Sequence, residues 1–336
     1  MPASVNVTPD TNVTPGANIS QDASPEKKPV WRKSKFVKEL KTNWAMFLMM
    51  LPPFILIFVN YYLPMFGVIM AFKNVNYEDG ILRSPWNGLY NFRFLFMSNA
   101  AWRITRNTIL YNLAFILLGL IFAVLFALAL NELTNRFAAK FYQSVIFLPY
   151  FLSWVVVAYL VLAFLDPNGF YNKTLTNIFH LPKIDWYASP QYWPFILVLV
   201  NLWKNVGYGI VIYTAGIAGI DQEYYEAAVL DGASKLQQIR YITIPFLVPF
   251  MIVTTIINLG NIFRADFGLF YQVPMQQGLL APTTEVLDTY IYKALIQTGD
   301  LGMSAAAGLY QSVVGFFTVL LANWIVGKIS EENKIF

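Results

Sequence analysis

Polar side chains set inside long apolar runs are the residues of this sequence best placed to do chemistry. Asn201, Lys204 and Asn205 stand at i, i+3 and i+4 in an otherwise apolar stretch, a spacing that puts all three on one helix face. Asn258, Asn261 and Arg264 recur every third residue in a second such stretch, with Asp266 just beyond. Ionisable groups in apolar surroundings are costly unless they face a cavity or a partner. Two readings follow. Either these faces line a path and hydrogen-bond a polar solute, or they hold the helices to each other or to a neighbouring chain. Other chemistries are poorly served. There is no Cys and a single His, His180, in loop-like sequence, which removes thiolate nucleophiles and leaves a metal or imidazole centre without ligands. No pair of carboxylates stands out for acid–base work, so no catalytic residue and no metal ligand is assigned.

The elements that must position these residues are dictated by composition. Of 336 residues, 57% are hydrophobic and only 12% charged, about half the usual charged share. A water-soluble enzyme is excluded by that balance. Six apolar stretches are each near the ~20 residues needed to cross ~30 Å of hydrocarbon. They fall at Trp44–Phe72, Thr108–Asn131, Phe141–Leu165, Tyr192–Ala215, Phe246–Tyr271 and Ala305–Val326. Without water to receive backbone hydrogen bonds, such stretches must be helices or a closed barrel, and runs this long without strict alternation are helices. The expected fold is an all-α membrane protein with six transmembrane helices over residues 44–330. Aromatic residues near span ends, among them Trp31, Trp44, Trp86, Trp102, Trp186, Trp193 and Trp324, read as an interfacial belt, with sugar-ring stacking as the sharper alternative.

Residues 1–43 read as a disordered tail that turns basic before the first span, through Lys27, Lys28, Arg32, Lys33, Lys35, Lys38 and Lys41. With both termini inside, cytoplasmic segments hold thirteen Lys and Arg against eight outside, the sense of the positive-inside rule.

Between the fourth and fifth apolar stretches lies a polar segment, Asp221 to Pro245. Asp221 is placed to cap a helix running to about Leu230, Gly232 to end it in a left-handed conformation, and Ser234 with Gln237 to open a second helix with a capping box. Pro245 ends that helix or bends it into the fifth span. The spacing Glu226-Ala227-Ala228, three residues, Gly232, nine residues, Ile242-x-Ile244-Pro245 resembles the EAA loop of binding-protein-dependent type I ABC importer permeases. Asp231 beside the glycine fits that family's frequent Asp-Gly pair, and Ile244 replaces its leucine. The six-span core and Asn107-Thr108, placed at the opening of the second span, resemble the family's carbohydrate branch.

That resemblance implies a permease subunit moving an oligosaccharide across a prokaryotic plasma membrane, and Lys204 and Arg264 themselves lean the solute toward an acidic one. The resemblance implies that Glu226, Ala227, Ala228, Asp231, Gly232, Ile242 and Pro245 couple to a cytoplasmic ATPase, while the expectation that Asn201, Lys204, Asn205, Asn258, Asn261 and Arg264 belong to the substrate path rests on their spacing alone. Its partners would be a second permease in a heterodimer, two ATPase subunits and an extracellular solute-binding protein, with lipid around the spans and no nucleic acid. No G-x-x-x-x-G-K-[ST] motif is present, so the chain itself holds no cofactor and ATP with Mg would sit on the partner ATPase. The alternative is a secondary transporter for a polar solute, independent of ATPase subunits. It would need an internal ion site and commonly an inverted repeat, and neither stands out.

Overall fold

The computed structural model describes residues 39–40, 42–76, 78–97 and 99–329. Six helical stretches are long and apolar enough to cross a membrane: Trp44–Phe72, Asn99–Asn131, Trp154–Asn177, Pro190–Ala218, Lys235–Leu259 and Leu301–Trp324. Among the described residues no strand forms beyond an isolated bridge between Lys73 and Trp86. The expected tail lies outside the described residues up to residue 38, and Glu39 and Leu40 are already helical.

The chain divides into two compact units, residues up to Tyr62 and residues from Leu63 on. In the first, helix Trp44–Ile57 carries Pro52 and Pro53 in its interior. Each proline removes a ladder hydrogen bond and crowds the preceding turn. A wide π-turn, Phe58–Tyr62, follows, and Asn60 Nδ2 donates back to Leu56 O at 2.8 Å. None of these residues is buried.

In the second unit the second and fourth spans pack along each other most extensively. With lipid as apolar as the side chains, such pairs are held by close contact, which small residues permit. At Gly209 a side chain would put its Cβ 2.7 Å from the Cβ of Ala123, and at Gly207 2.6 Å from the carbonyl oxygen of Ile146. Ala123, Ala127, Ile210, Tyr213 and Leu247 form the core of this crossing.

Three spans depart from their predicted outlines. The stretch Phe141–Leu165 is two helices, Arg136–Phe147 and Trp154–Leu165, separated by a 3₁₀ turn at Leu148–Phe151. Pro149 sits in that turn, and Ser153 caps the second piece by accepting from Val156 N at 3.3 Å. The fifth span starts eleven residues earlier than predicted, at Lys235 rather than Phe246, because the second helix of the polar segment does not stop at Pro245. It passes through a π-turn at Ile239–Thr243 and continues as Ile244–Leu259. It also ends earlier, at Gly260, and a separate helix, Phe267–Gln272, follows. Asn107 and Thr108 lie inside the second span rather than at its opening, which is Asn99. There Asn107 Nδ2 donates to Pro282 O and Glu285 O at 3.2 and 3.0 Å, and the Thr108 hydroxyl accepts from Leu287 N at 3.0 Å. Trp193, assigned to the interfacial belt, is fully buried, its indole donating to Trp186 O at 2.8 Å.

Candidate functional site

A cavity of about 400 Å³ opens between the second, fourth and fifth spans. The fourth contributes Asn201, Asn205 and Tyr208 at i, i+4 and i+7, and the fifth contributes Thr254, Asn258 and, just past its end, Asn261 at the same spacing. Each stripe is one face of a helix. The Tyr213 hydroxyl and Thr254 Oγ1, 2.8 Å apart, tie the two stripes together at the cavity wall.

Four of the six residues predicted for a path therefore converge on one space, and two do not. Lys204 is buried, and its amine turns away toward the break in the third span, donating to Tyr150 O at 2.8 Å and Pro149 O at 3.4 Å. Pro149 O also accepts from Leu152 N at 3.1 Å, and the ammonium adds a charged donor to both carbonyls at the break. Arg264 is exposed and lies beyond the end of the fifth helix, outside the cavity lining. The helical period predicted it on the asparagine stripe, and the break at Gly260 ends that period before Arg264 is reached.

Asn112, which the sequence reading passed over, also lines the cavity. Its amide donates to Thr108 O, Ile262 O and Arg264 O at 3.0, 2.9 and 3.1 Å, so it fastens the second span to the broken end of the fifth. Its signal was weak, a lone asparagine in an apolar span. Among the described residues lining the cavity none is charged. The lining offers amides and hydroxyls, donors and acceptors both, which suits a solute rich in hydroxyl groups.

The second candidate site is the hairpin between the fourth and fifth spans. Helix Gln222–Leu230 is capped by Asp221, whose Oδ1 accepts from Glu223 N at 3.1 Å. It ends in the predicted left-handed glycine, with Gly232 at φ +79°. Gly232 N donates to Val229 O at 3.0 Å and Ala233 N to Ala228 O at 2.8 Å, the paired bonds of a Schellman ending. Ser234 then opens the next helix, its backbone N–H donating to Gln237 Oε1 at 2.7 Å. Buried Gln238 donates to Ala233 O at 3.1 Å, locking the corner. Two contacts anchor the first helix to the fifth span: Tyr225 with Thr243 at 2.9 Å, and the Tyr224 and Phe246 rings at 5.3 Å. Glu226, Ala227, Asp231 and Gly232 are exposed, as is Pro245, while Ala228 and Ile242 are half-buried. Leu230 and Leu236 project almost fully into the open. The hairpin is thus stiff, apolar at its tip and set on the end of a span.

At the other end of the fifth span, Glu285 binds Arg103 at 3.0 Å and Lys293 at 3.1 Å. Asp288 Oδ2 accepts from Ala265 N at 2.7 Å and Gln311 Nε2 at 3.1 Å. Burial pushes the Asp288 carboxyl above the ordinary aspartate range, against the pull of those donors and of Arg264.

Six spans, a neutral polar cavity and an exposed hairpin between the fourth and fifth spans define a multi-pass membrane permease. The chain belongs to the family of binding-protein-dependent transport system inner membrane components, whose model matches residues 115–331. It is 31% identical over 300 residues to Protein LplB of Bacillus subtilis (strain 168), covering 88% of this chain and 92% of that one. Over 302 residues it is 31% identical to the polygalacturonan/rhamnogalacturonan transport system permease protein YteP of the same organism, covering 90% and 93%. Among solved structures, a bacterial ABC transporter involved in the import of the acidic polysaccharide alginate contains a chain 33% identical. It superposes with a TM-score of 0.80 over 88% of this chain and 99% of that one. A bacterial alginate ABC transporter in complex with alginate pentasaccharide-bound periplasmic protein gives a TM-score of 0.79 at 33% identity.

Proposed function

We propose that this permease carries an acidic oligosaccharide through the cavity between its second, fourth and fifth spans, driven by ATPase subunits that grip the hairpin at Gln222–Gln238. The observation that carries the reading is the convergence of Asn201, Asn205, Asn258 and Asn261 on one uncharged space. Hydroxyl groups find donors and acceptors there, and carboxylates find amide donors. The acidic lean is supported by the alginate and polygalacturonan transporters to which the chain is similar. It draws no support from Lys204 or Arg264, which lie outside the lining.

In this reading Glu226, Ala227, Ala228, Asp231 and Gly232 form the docking surface for the ATPase, and Ile242 and Pro245 carry its movement into the fifth span. ATP and Mg are held by the ATPase, not by this chain. The hairpin then faces the cytoplasm, both termini lie on that side, and an extracellular solute-binding protein delivers the sugar from the other. A second, related permease completes the pathway as a heterodimer with two ATPase subunits.

Purification of the tagged chain from its membrane in mild detergent tests this. A second permease and an ATPase at comparable amounts, with ATP-dependent uptake of a labelled oligouronate into vesicles, are the expected result. The chain recovered alone and active without ATP would make it a secondary transporter instead.

A further inference from the structure

We propose that Lys204, Trp154 and Asp266 form a latch that holds the transporter in its resting state until the fifth span shifts. The proposal rests on the importer reading above.

Two helix interruptions meet at this latch. The third span breaks at Leu148–Phe151, and the Lys204 amine takes up the carbonyls of Pro149 and Tyr150. The same ammonium stands 5.1 Å from the centre of the Trp154 ring and 5.5 Å from that of Tyr150, within cation–π range. The fifth span breaks at Gly260, and the next helix is capped by Asp266. Asp266 Oδ2 accepts the Trp154 indole N–H at 2.9 Å, while its Oδ1 caps helix Phe267–Gln272 by accepting from Leu269 N at 3.3 Å. Trp154 also lies directly against Gly268, where any side chain would collide with the ring. One tryptophan therefore joins the first residue of the restarted third helix to the segment that follows the broken fifth.

Its energetics suit a releasable contact rather than a core. Lys204 is buried, yet the carboxylate that acts on it electrostatically, Asp266, is exposed. At the exposed carboxylate water can replace the Trp154–Asp266 hydrogen bond, while the neighbouring Ala265 N–Asp288 and Arg264 O–Asn112 bonds keep the segment tied to its other partners. The fifth span runs without a stop from Lys235 at the hairpin to Leu259, so a shift imposed at the hairpin arrives at the segment holding Asp266. Helix interruptions are where such rigid-body shifts are absorbed.

The test uses the complete transporter in lipid vesicles, with ATP hydrolysis measured with and without saccharide-loaded binding protein. Asp266→Asn keeps a helix cap of equal quality. With the asparagine oxygen on Leu269 N, its amide nitrogen faces the indole N–H and cannot accept from it. Trp154→Phe keeps a ring against Gly268 and removes the donor. Both variants are expected to raise hydrolysis in the absence of binding protein about fivefold, the effect of releasing one hydrogen bond, with stimulated hydrolysis near the starting level. Unchanged basal hydrolysis in both variants overturns the latch. So does a parallel fall in basal and stimulated hydrolysis at normal assembly yield, which marks a purely structural contact. An unaltered transporter that binding protein fails to stimulate would overturn the importer reading itself.

Discussion

Tyr225, on the short helix that follows the fourth span, and Thr243, in the π-turn at the foot of the fifth, share a hydrogen bond of 2.9 Å. With the Tyr224–Phe246 ring contact and the Gln238–Ala233 bond, it makes hairpin and span one body. Tyr225→Phe keeps the ring and removes the bond, a loss of about 1 kcal/mol. More ATP should then be hydrolysed per solute moved, at unchanged protein yield. Parallel hydrolysis and uptake measurements in vesicles would show it, and an unaltered ratio would separate this contact from coupling.

Gly232 is the hairpin's conformational pivot. Its φ of +79° disfavours a β-carbon, although open space surrounds the position. Gly232→Ala should therefore cost roughly 1–2 kcal/mol by backbone strain alone, and Gly232→Asn less, since asparagine visits this region more readily. Uptake should fall in the order Gly, Asn, Ala while the melting of the spans by circular dichroism stays put.

The cavity asparagines separate by role. Asn201→Ala and Asn258→Ala should raise the KM for uptake several-fold with the protein as stable as before. Asn112→Ala should in addition lower the melting temperature, because Asn112 alone holds the Ile262 and Arg264 carbonyls across to the second span. Unchanged KM and rate in both Asn201 and Asn258 variants would remove the cavity from the path.

At Gly207 the fourth span touches the backbone of helix Arg136–Phe147, with a Cβ site 2.7 Å from Phe147 Cα. Backbone cannot swing aside as a side chain can, so Gly207→Val should destabilise by about 1–3 kcal/mol or more. Loss of a monodisperse peak on size exclusion would report it.

Asp288 gives the fold a pH dependence. Its carboxyl is raised by burial in the folded chain, so as pH climbs past the ordinary aspartate range the unfolded chain ionises first. Stability is full below that range and is lost as pH rises through the raised folded value. The melting temperature should decline over that window, and Asp288→Asn should flatten the decline. A melting profile unchanged by the substitution would assign the dependence elsewhere.

The spans were legible because a run of some twenty apolar residues has few other fates, and the hairpin because its caps are local: Asp221, Gly232 and Ser234 act on neighbours one turn away. The breaks were not. Pro149 and Gly260 look no different in sequence from Pro249, which the fifth helix carries without interruption. What distinguishes Pro149 is Lys204, fifty-five residues on, which accommodates the exposed carbonyls. The same contact explains why Lys204 was placed on the cavity face by its spacing and found elsewhere. Spacing fixes the helix face at the backbone, but a long side chain reaches to an acceptor beyond that face.

The neutral lining described above has an electrical side. A carboxylate entering a space walled by amides meets no resident positive charge in that lining to cancel its own. Against an inside-negative membrane each such charge taken up requires work of about 2.3 kcal/mol per 100 mV. A trisaccharide of uronic acids would then demand about 7 kcal/mol per 100 mV on the same scale. If the solute is acidic, as proposed, the voltage adds to the work of import in proportion to the charge carried, whatever the lining.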